Sequence, residues 1–182
     1  NGMMIGAMAL GHQITQDNRY LEAANQAVDF IDKQLTQGNR LLRTWRAGKS
    51  QISGYLEDYA YLAEGLIDLY EAGGQMKHLE RAQKLANQMV SLFSDSNGGA
   101  FYSTAHDQEE LLLRKKENQD SATPSDNAVA ANVFARLGQH LHEEAFKEAA
   151  ISIIEGLGED IIKMPQIFCK TLQAVDFLLS EP

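Results

Sequence analysis

"YLEAANQAVDFI", residues 20–31, opens with a large apolar residue, Leu21, followed three positions later by Ala24. The same step returns in "HLERAQKLANQM" from His78 (Leu79, Ala82) and in "AFKEAAISIIEG" from Ala145 (Phe146, Ala149). The three segments align without gaps. Their spacing far exceeds the roughly 34 residues of a tetratricopeptide unit and suits a helical hairpin carrying a long insertion.

Working outward, apolar periodicity places helices at about 2–14, 18–36, 55–72, 76–94, 124–141, 143–162 and 165–179. Short connections follow the odd helices, and long ones, 37–54 and 95–123, follow two of the even helices. Both long loops read as two-strand excursions, "RLLRTWRAGKSQI" and "GGAFYSTAHDQEELLLRKK". "NGG" at 97–99 reads as a glycine C-cap of the preceding helix. The expected fold class is all-α: antiparallel helical hairpins with short β-hairpin excursions, in one domain over 1–182. The alternation gathers the long loops and the starts of helices 55–72, 124–141 and 165–179 at one end. Rigid scaffolds present function on such loops, so that end is the candidate site.

The chain has 182 residues, 44% of them hydrophobic, and a net charge of −9. No basic cluster exceeds "RKK" at 114–116, which argues against nucleic acid as a partner. No apolar run reaches the ~18 residues of a membrane span, and no signal segment precedes the first helix. The single cysteine, Cys169, has no internal disulfide partner, which suits a cytoplasmic setting, and reads as a buried thiol. The chain starts "NGMMIGAMAL", inside a helical pattern, and reads as a fragment.

Four motifs occur in order: "NGMMIGAMA", "LEDYAYLAEGLIDLYEA", "GGAFYSTA" and "DSATPSDNAVAAN". Together they resemble the C-terminal part of the spermatogenesis-associated thioredoxin-domain proteins and their bacterial relatives. The resemblance implies part of an α/α toroid, related to six-hairpin glycosidases and N-acylglucosamine 2-epimerases. It also implies a thioredoxin-like domain outside this chain, to which any redox role belongs; no CxxC is present here. Two family glycines are replaced: Pro-Ser-Gly-Asn-Ser becomes Pro124-Ser125-Asp126-Asn127-Ala128, and Asp-Gly-Ala becomes Asp120-Ser121-Ala122. The histidine motifs of the epimerases have no match.

The candidate residues follow from placement. On a helical wheel Glu57, Tyr61, Glu64, Asp68 and Glu71 form a polar stripe opposite Tyr59, Leu62, Ala63, Leu66 and Tyr70. Asp58 lies about 100° from Glu57, at the stripe's border, and is the best catalytic candidate. The alternative for both acids is helix-start electrostatics beneath a Gly54 or Ser53 cap, at roughly 0.3–1 kcal/mol each. Asp120, Ser125 and Asn127 are sugar-hydroxyl ligands or pins for their loop. Thr123 as N-cap and Pro124 as first helical residue place Asp126 in the first turn. Trp45, between Arg43 and Arg46, is a stacking platform or a lid over the core. His140 and His142 do not face one way, His106 and Asp107 sit at a hairpin tip, and His12 and His78 lie on the surface. No metal site and no cofactor is expected.

Two functions are expected from this pattern. One is a carbohydrate-active or carbohydrate-binding toroid, with a sugar-like small molecule as partner. The other is a scaffold presenting partners to the thioredoxin-like domain. Faces left open by missing hairpins should promote self-association.

Overall fold

The computed structural model describes residues 1–108 and 113–180. Among these residues seven helices follow one another: α1 (Gly2–Thr15), α2 (Asn18–Gln34), α3 (Leu56–Gly73), α4 (Met76–Phe93), α5 (Asp126–Leu141), α6 (Glu144–Lys163) and α7 (Cys169–Leu179). The first six match the expected spans closely. The last begins later because Pro165–Ile167 forms a 3-10 turn first. None of the described helices is long and apolar enough to cross a membrane.

The helices form two layers. α1 packs along α3, α3 along α5, and α5 along α7, while α2, α4 and α6 each lie outside, against the helix that precedes them. Helices within a hairpin run antiparallel, so the four inner helices are parallel and start at the same end. The α1–α3 contact is unusually close. A β-carbon on Gly65 would meet the Gly2 carbonyl oxygen at 2.5 Å, and one on Gly2 would strike the Tyr61 backbone. Glycine is required here by a neighbouring backbone, not by a turn.

Burial follows from the layering. α3 buries Leu56, Tyr59, Leu62, Ala63 and Leu66, with Tyr70 partly covered. α5, between two inner neighbours and beneath α6, is buried continuously from Asp126 to Ala135, as expected of a helix enclosed on most sides. Its Phe134 stacks on Phe146 of α6 at 6.0 Å and meets Phe101 of the second long loop edge-on at 5.7 Å.

The first long loop holds three antiparallel strands, β1 (Thr36–Gln37), β2 (Arg40–Arg46) and β3 (Lys49–Ser53), in the order β1-β2-β3. Arg46 pairs with Lys49, leaving a two-residue turn in which Ala47 (φ 51°) and Gly48 (φ 78°) are both left-handed. That geometry matches the right-handed twist of the flanking strands. The second long loop corrects an expectation: its described residues form no strands. Residues 109–112 of that expected excursion lie outside the described residues. Its arms are joined instead by Ser103 N–H donating to the Lys115 carbonyl at 2.8 Å.

Two further expectations are corrected. α4 ends at Phe93, four residues before Asn97, so the glycines do not cap it. Gly98 and Gly99 instead turn the chain with φ near 80°, and Gly99 lies against Gly156 of α6. Cys169 is exposed. The buried position at the start of α7 is taken by Phe168, which rotates its neighbour outward.

Candidate functional site

Four parallel inner helices point their N-terminal ends at one mouth, and acidic side chains collect there for a local reason. An N-terminal turn has unpaired N–H groups and a partial positive charge. The cap of α3 is Tyr55, not Gly54 or Ser53, and its N–H donates to Asp58 Oδ2 at 2.8 Å. The cap of α5 is Ser125, not Thr123, and its hydroxyl accepts from Ala128 N–H at 3.2 Å. Pro124 is the residue before that cap and does not open the helix, so Asp126 is the first helical residue. Asp120 accepts from Ser125 N–H and from Lys170 N–H, both at 2.8 Å, and so ties the starts of α5 and α7 together.

Arg43, on β2, reaches both acids at the start of α3. Its Nη2 lies 2.6 Å from Glu57 Oε1 and its Nη1 lies 2.8 Å from Asp58 Oδ2. The same guanidinium sits over the Tyr55 ring at 4.7 Å. The two carboxylates thus share one cation yet open onto different hollows. Asp58 faces a niche of about 90 Å³ with Arg43 and Tyr61. Burial pushes the Asp58 carboxyl up, and Arg43 only partly offsets this.

Glu57 instead lines a cleft of about 140 Å³ together with Glu117, Ser125 and Asp126. Asp126 is 5% exposed, and no lysine or arginine pairs with it among the described residues. Its Oδ1 accepts from Asn127 N–H at 2.7 Å. Burial, with Glu117 and Glu57 nearby, pushes its carboxyl up to about 6. Neither Asp126 nor Glu117 was among the expected site residues. Asp126 reads as first-turn electrostatics in a linear sequence, and Glu117 as loop charge; only the fold brings both beside Glu57.

The remaining candidates divide. Asn127 is fully buried: its oxygen accepts from Phe101 N–H at 2.7 Å and its amide donates to the Phe101 carbonyl at 2.9 Å. It pins the second long loop to α5. Ser125 also donates to the Asn118 carbonyl at 3.0 Å, so Asp120, Ser125 and Asn127 hold one loop together. Trp45 is apart from them, 43% exposed, with its ring edge on Phe30 of α2 at 5.4 Å. His78 is buried, not on the surface, and hydrogen-bonds Asn25 at 3.0 Å, because α4 turns that face toward α2. Asp107 is ion-paired with Arg40, which fastens the second loop to the first. Among the described residues no group of three His, Cys, Asp or Glu side chains is placed to hold a metal.

Below the mouth, the polar stripe of α3 continues into a groove of about 410 Å³ against α1, lined by Glu64, Asp68 and Glu71. Cations from the other inner helices meet these acids. Lys170 pairs with Glu64 at 2.7 Å, and Arg136 with Asp68 at 2.7 Å and Glu71 at 2.8 Å. His140 also meets Glu71 at 2.8 Å. The α3 side of this groove is therefore charge-paired, while its α1 side, with Met3, Ala7 and Leu10, is largely apolar.

Comparison with known proteins gives the lineage. No family model matches the chain. Human spermatogenesis-associated protein 20 is 29% identical over 186 residues, 96% of this chain and 24% of its own length. Its mouse counterpart is 30% identical over 176 residues, 91% of the chain and 22% of its own. An uncharacterised Caenorhabditis elegans protein is 28% identical over 172 residues, 90% and 23%. The chain thus spans about a quarter of the length of the curated relatives it matches. Among solved structures, a family 76 α-mannanase of Bacteroides thetaiotaomicron superposes with a TM-score of 0.73 at 13% identity, over 97% of this chain and 50% of the other. Cellobiose 2-epimerase of Bacillus thermoamylovorans gives 0.66 at 13%, over 85% and 42%. An inactive α-1,6-mannanase variant of Salegentibacter, in complex with α-1,6-mannotriose, gives 0.64 at 17%, over 84% and 44%. At these identities the structures speak for the fold alone. The chain is homologous to a segment of spermatogenesis-associated protein 20 and has the α/α-toroid fold.

Proposed function

We propose that this chain is a carbohydrate-active or carbohydrate-binding part of an α/α toroid, with its site at the mouth where the inner helices start. The observation that carries this reading is the pairing of Asp126 and Glu57 in one cleft. Sugar chemistry uses two carboxyl groups held in different protonation states. Asp126, buried with no cation beside it among the described residues, keeps its proton to about pH 6, whereas Glu57 is ion-paired with Arg43. Asp126 suits a proton donor, and Glu57 suits the charged partner. Asp58, bound through Oδ2 to both Tyr55 N–H and Arg43, holds Arg43 in place beside Glu57.

Two likenesses support the reading. The inactive Salegentibacter mannanase variant has two consecutive aspartates replaced, and consecutive acids stand at the start of α3 here. The row of ion-paired acids along α3 also differs from the apolar face that a purely structural ring would turn inward. We place the protein in the cytoplasm, as its single cysteine suggests.

Calorimetric titration with manno- and cello-oligosaccharides tests the function. Binding should fall at least tenfold in both Asp126→Asn and Glu57→Gln, with circular dichroism unchanged. No binding by the wild-type chain, or equal binding by both variants, would overturn it. The scaffold reading, with partners presented to the thioredoxin-like domain that the resemblance implies, has one observation in its favour. Asp120, Ser125 and Asn127 are all engaged in holding the loop. A specific protein partner that blocks the mouth, with no sugar bound at any concentration, would establish it.

A further inference from the structure

A short stretch of the second long loop runs between the starts of α5 and α3, and backbone ties hold it there. Asn127, in the first turn of α5, clamps both backbone groups of Phe101. Two residues on, the Ser103 carbonyl accepts from the N–H of Leu56, the first helical residue of α3, at 2.9 Å. Ser103 N–H in turn donates to the Lys115 carbonyl in the returning arm of the loop, at 2.8 Å. Residues 101–103 therefore reach from one helix start to the other, and both backbone groups of Ser103 are engaged in holding them.

The Ser103 side chain takes no part in these ties. Its Oγ is buried and has no hydrogen-bond partner among the described residues, and the Asp126 carboxyl stands beside it. A buried hydroxyl without a partner is costly, so its presence asks for a reason. Burial also keeps Oγ away from anything bound in the cleft. It can act there only through Asp126.

Asp126 supplies the reason. It lines the cleft that it shares with Glu57 and Glu117, yet is itself only 5% exposed. The charged groups facing it are Glu57 from α3 and Glu117 from the loop, both acids. The nearby cations are taken: Arg43 pairs with Glu57, and Lys115 with Glu117. Once Asp126 gives up its proton, no cation among the described residues meets the carboxylate. Asn127 N–H donates to Oδ1, and one backbone donor is little for a buried charge. A serine hydroxyl can rotate to donate as well. Such a bond to a charged acceptor is about twice as strong as a neutral one, so it forms when the proton leaves.

We propose that Ser103 is a positioning residue for the proton donor: when Asp126 passes its proton to a sugar oxygen, the Ser103 hydroxyl donates to the carboxylate that remains. Ser103 keeps its own proton, so the transfer runs from Asp126 to the sugar alone. The inference rests on the Asp126–Glu57 reading above. Carbon-13 NMR of the aspartate carboxyls, on the wild-type chain with no sugar present, tests it. The Asp126 resonance is the one missing in Asp126→Asn. Its midpoint, about 6 in wild type, should rise by about one pH unit in Ser103→Ala. Ser103→Thr keeps the hydroxyl and should titrate as wild type does. Ser103→Cys, with a weak donor of similar size, should rise by less than the alanine variant, and it decides the matter if that variant folds poorly. Alanine retains both backbone ties, so a role confined to holding the loop predicts no shift. A midpoint unchanged or lowered in Ser103→Ala, or raised equally in Ser103→Ala and Ser103→Thr, overturns the role of Ser103 and leaves the carbohydrate reading standing. A raised midpoint in a chain that binds no sugar overturns the carbohydrate reading alone.

Discussion

Replacing Asp126 by asparagine separates the charge of this side chain from its hydrogen bond to Asn127 N–H, which an amide oxygen still accepts. The folded carboxyl titrates near 6 against an ordinary 3.8. A raised carboxyl binds its proton more tightly in the folded state, so its contribution is fully present below about pH 4 and is lost as pH rises through 6. Two units correspond to about 3 kcal/mol. Asp126→Asn should therefore gain on wild type by up to about 3 kcal/mol between pH 4 and pH 7.5, measured by urea unfolding. A difference that stays flat or narrows with pH would contradict the burial argument. Asn127 is the opposite case. Its removal leaves Phe101 N–H and C=O unpaired in the interior, and Asn127→Ala should cost about 3 kcal/mol. Hydrogen exchange should show the Phe101 amide losing protection before the amides of α3.

Among elements, the α1–α3 pair depends on glycines in a way that substitution can measure. Gly65→Ala places a methyl group 2.5 Å from the Gly2 carbonyl oxygen, a contact that only backbone movement relieves. We expect a loss of about 2–3 kcal/mol, the usual range for overpacking. Gly158 on α6 is the matched control, with nothing within 4 Å of a built β-carbon. Gly158→Ala should stabilise by about 0.5–1 kcal/mol, because alanine loses less backbone entropy in a helix. Thermal melts of the two variants should move in opposite directions; a shared direction would mean that helix propensity outweighs the interhelix contact.

For the whole molecule, the two edges of the helix arc remain apolar. α1 exposes Met3, Met4, Leu10 and Ile14, and the α6–α7 edge exposes Ile162, Leu172 and Leu179. This chain covers 33–50% of the length of the solved structures with this fold, so the arc corresponds to a third to a half of such a chain. Contiguous apolar faces of this kind drive association. We propose that the chain self-associates in solution despite its charge of −9. Sedimentation velocity should show species larger than a monomer, and Met4→Glu with Leu10→Glu should shift the distribution to monomer. A monodisperse wild-type monomer at about 100 µM would refute this.

Helix positions were legible because apolar periodicity is local and survives without any partner: the stripe Glu57, Tyr61, Glu64, Asp68 and Glu71 needed only the geometry of one helix. The alternation of short and long loops likewise located the mouth before any contact was known. The sequence alone did not show the caps at Tyr55 and Ser125, nor the exposure of Cys169, because a shift of one residue at a helix end depends on which neighbours compete for the buried position. Nor did it show that Asp126, read there as a first-turn residue of its own helix, stands beside Glu57 from another hairpin. Sequence by itself determined the helices, their pairing and the end at which they open. Which acids share a cleft, and which of them keeps a proton, was decided only by tertiary structure, because desolvation and the distance between charges belong to the assembled fold.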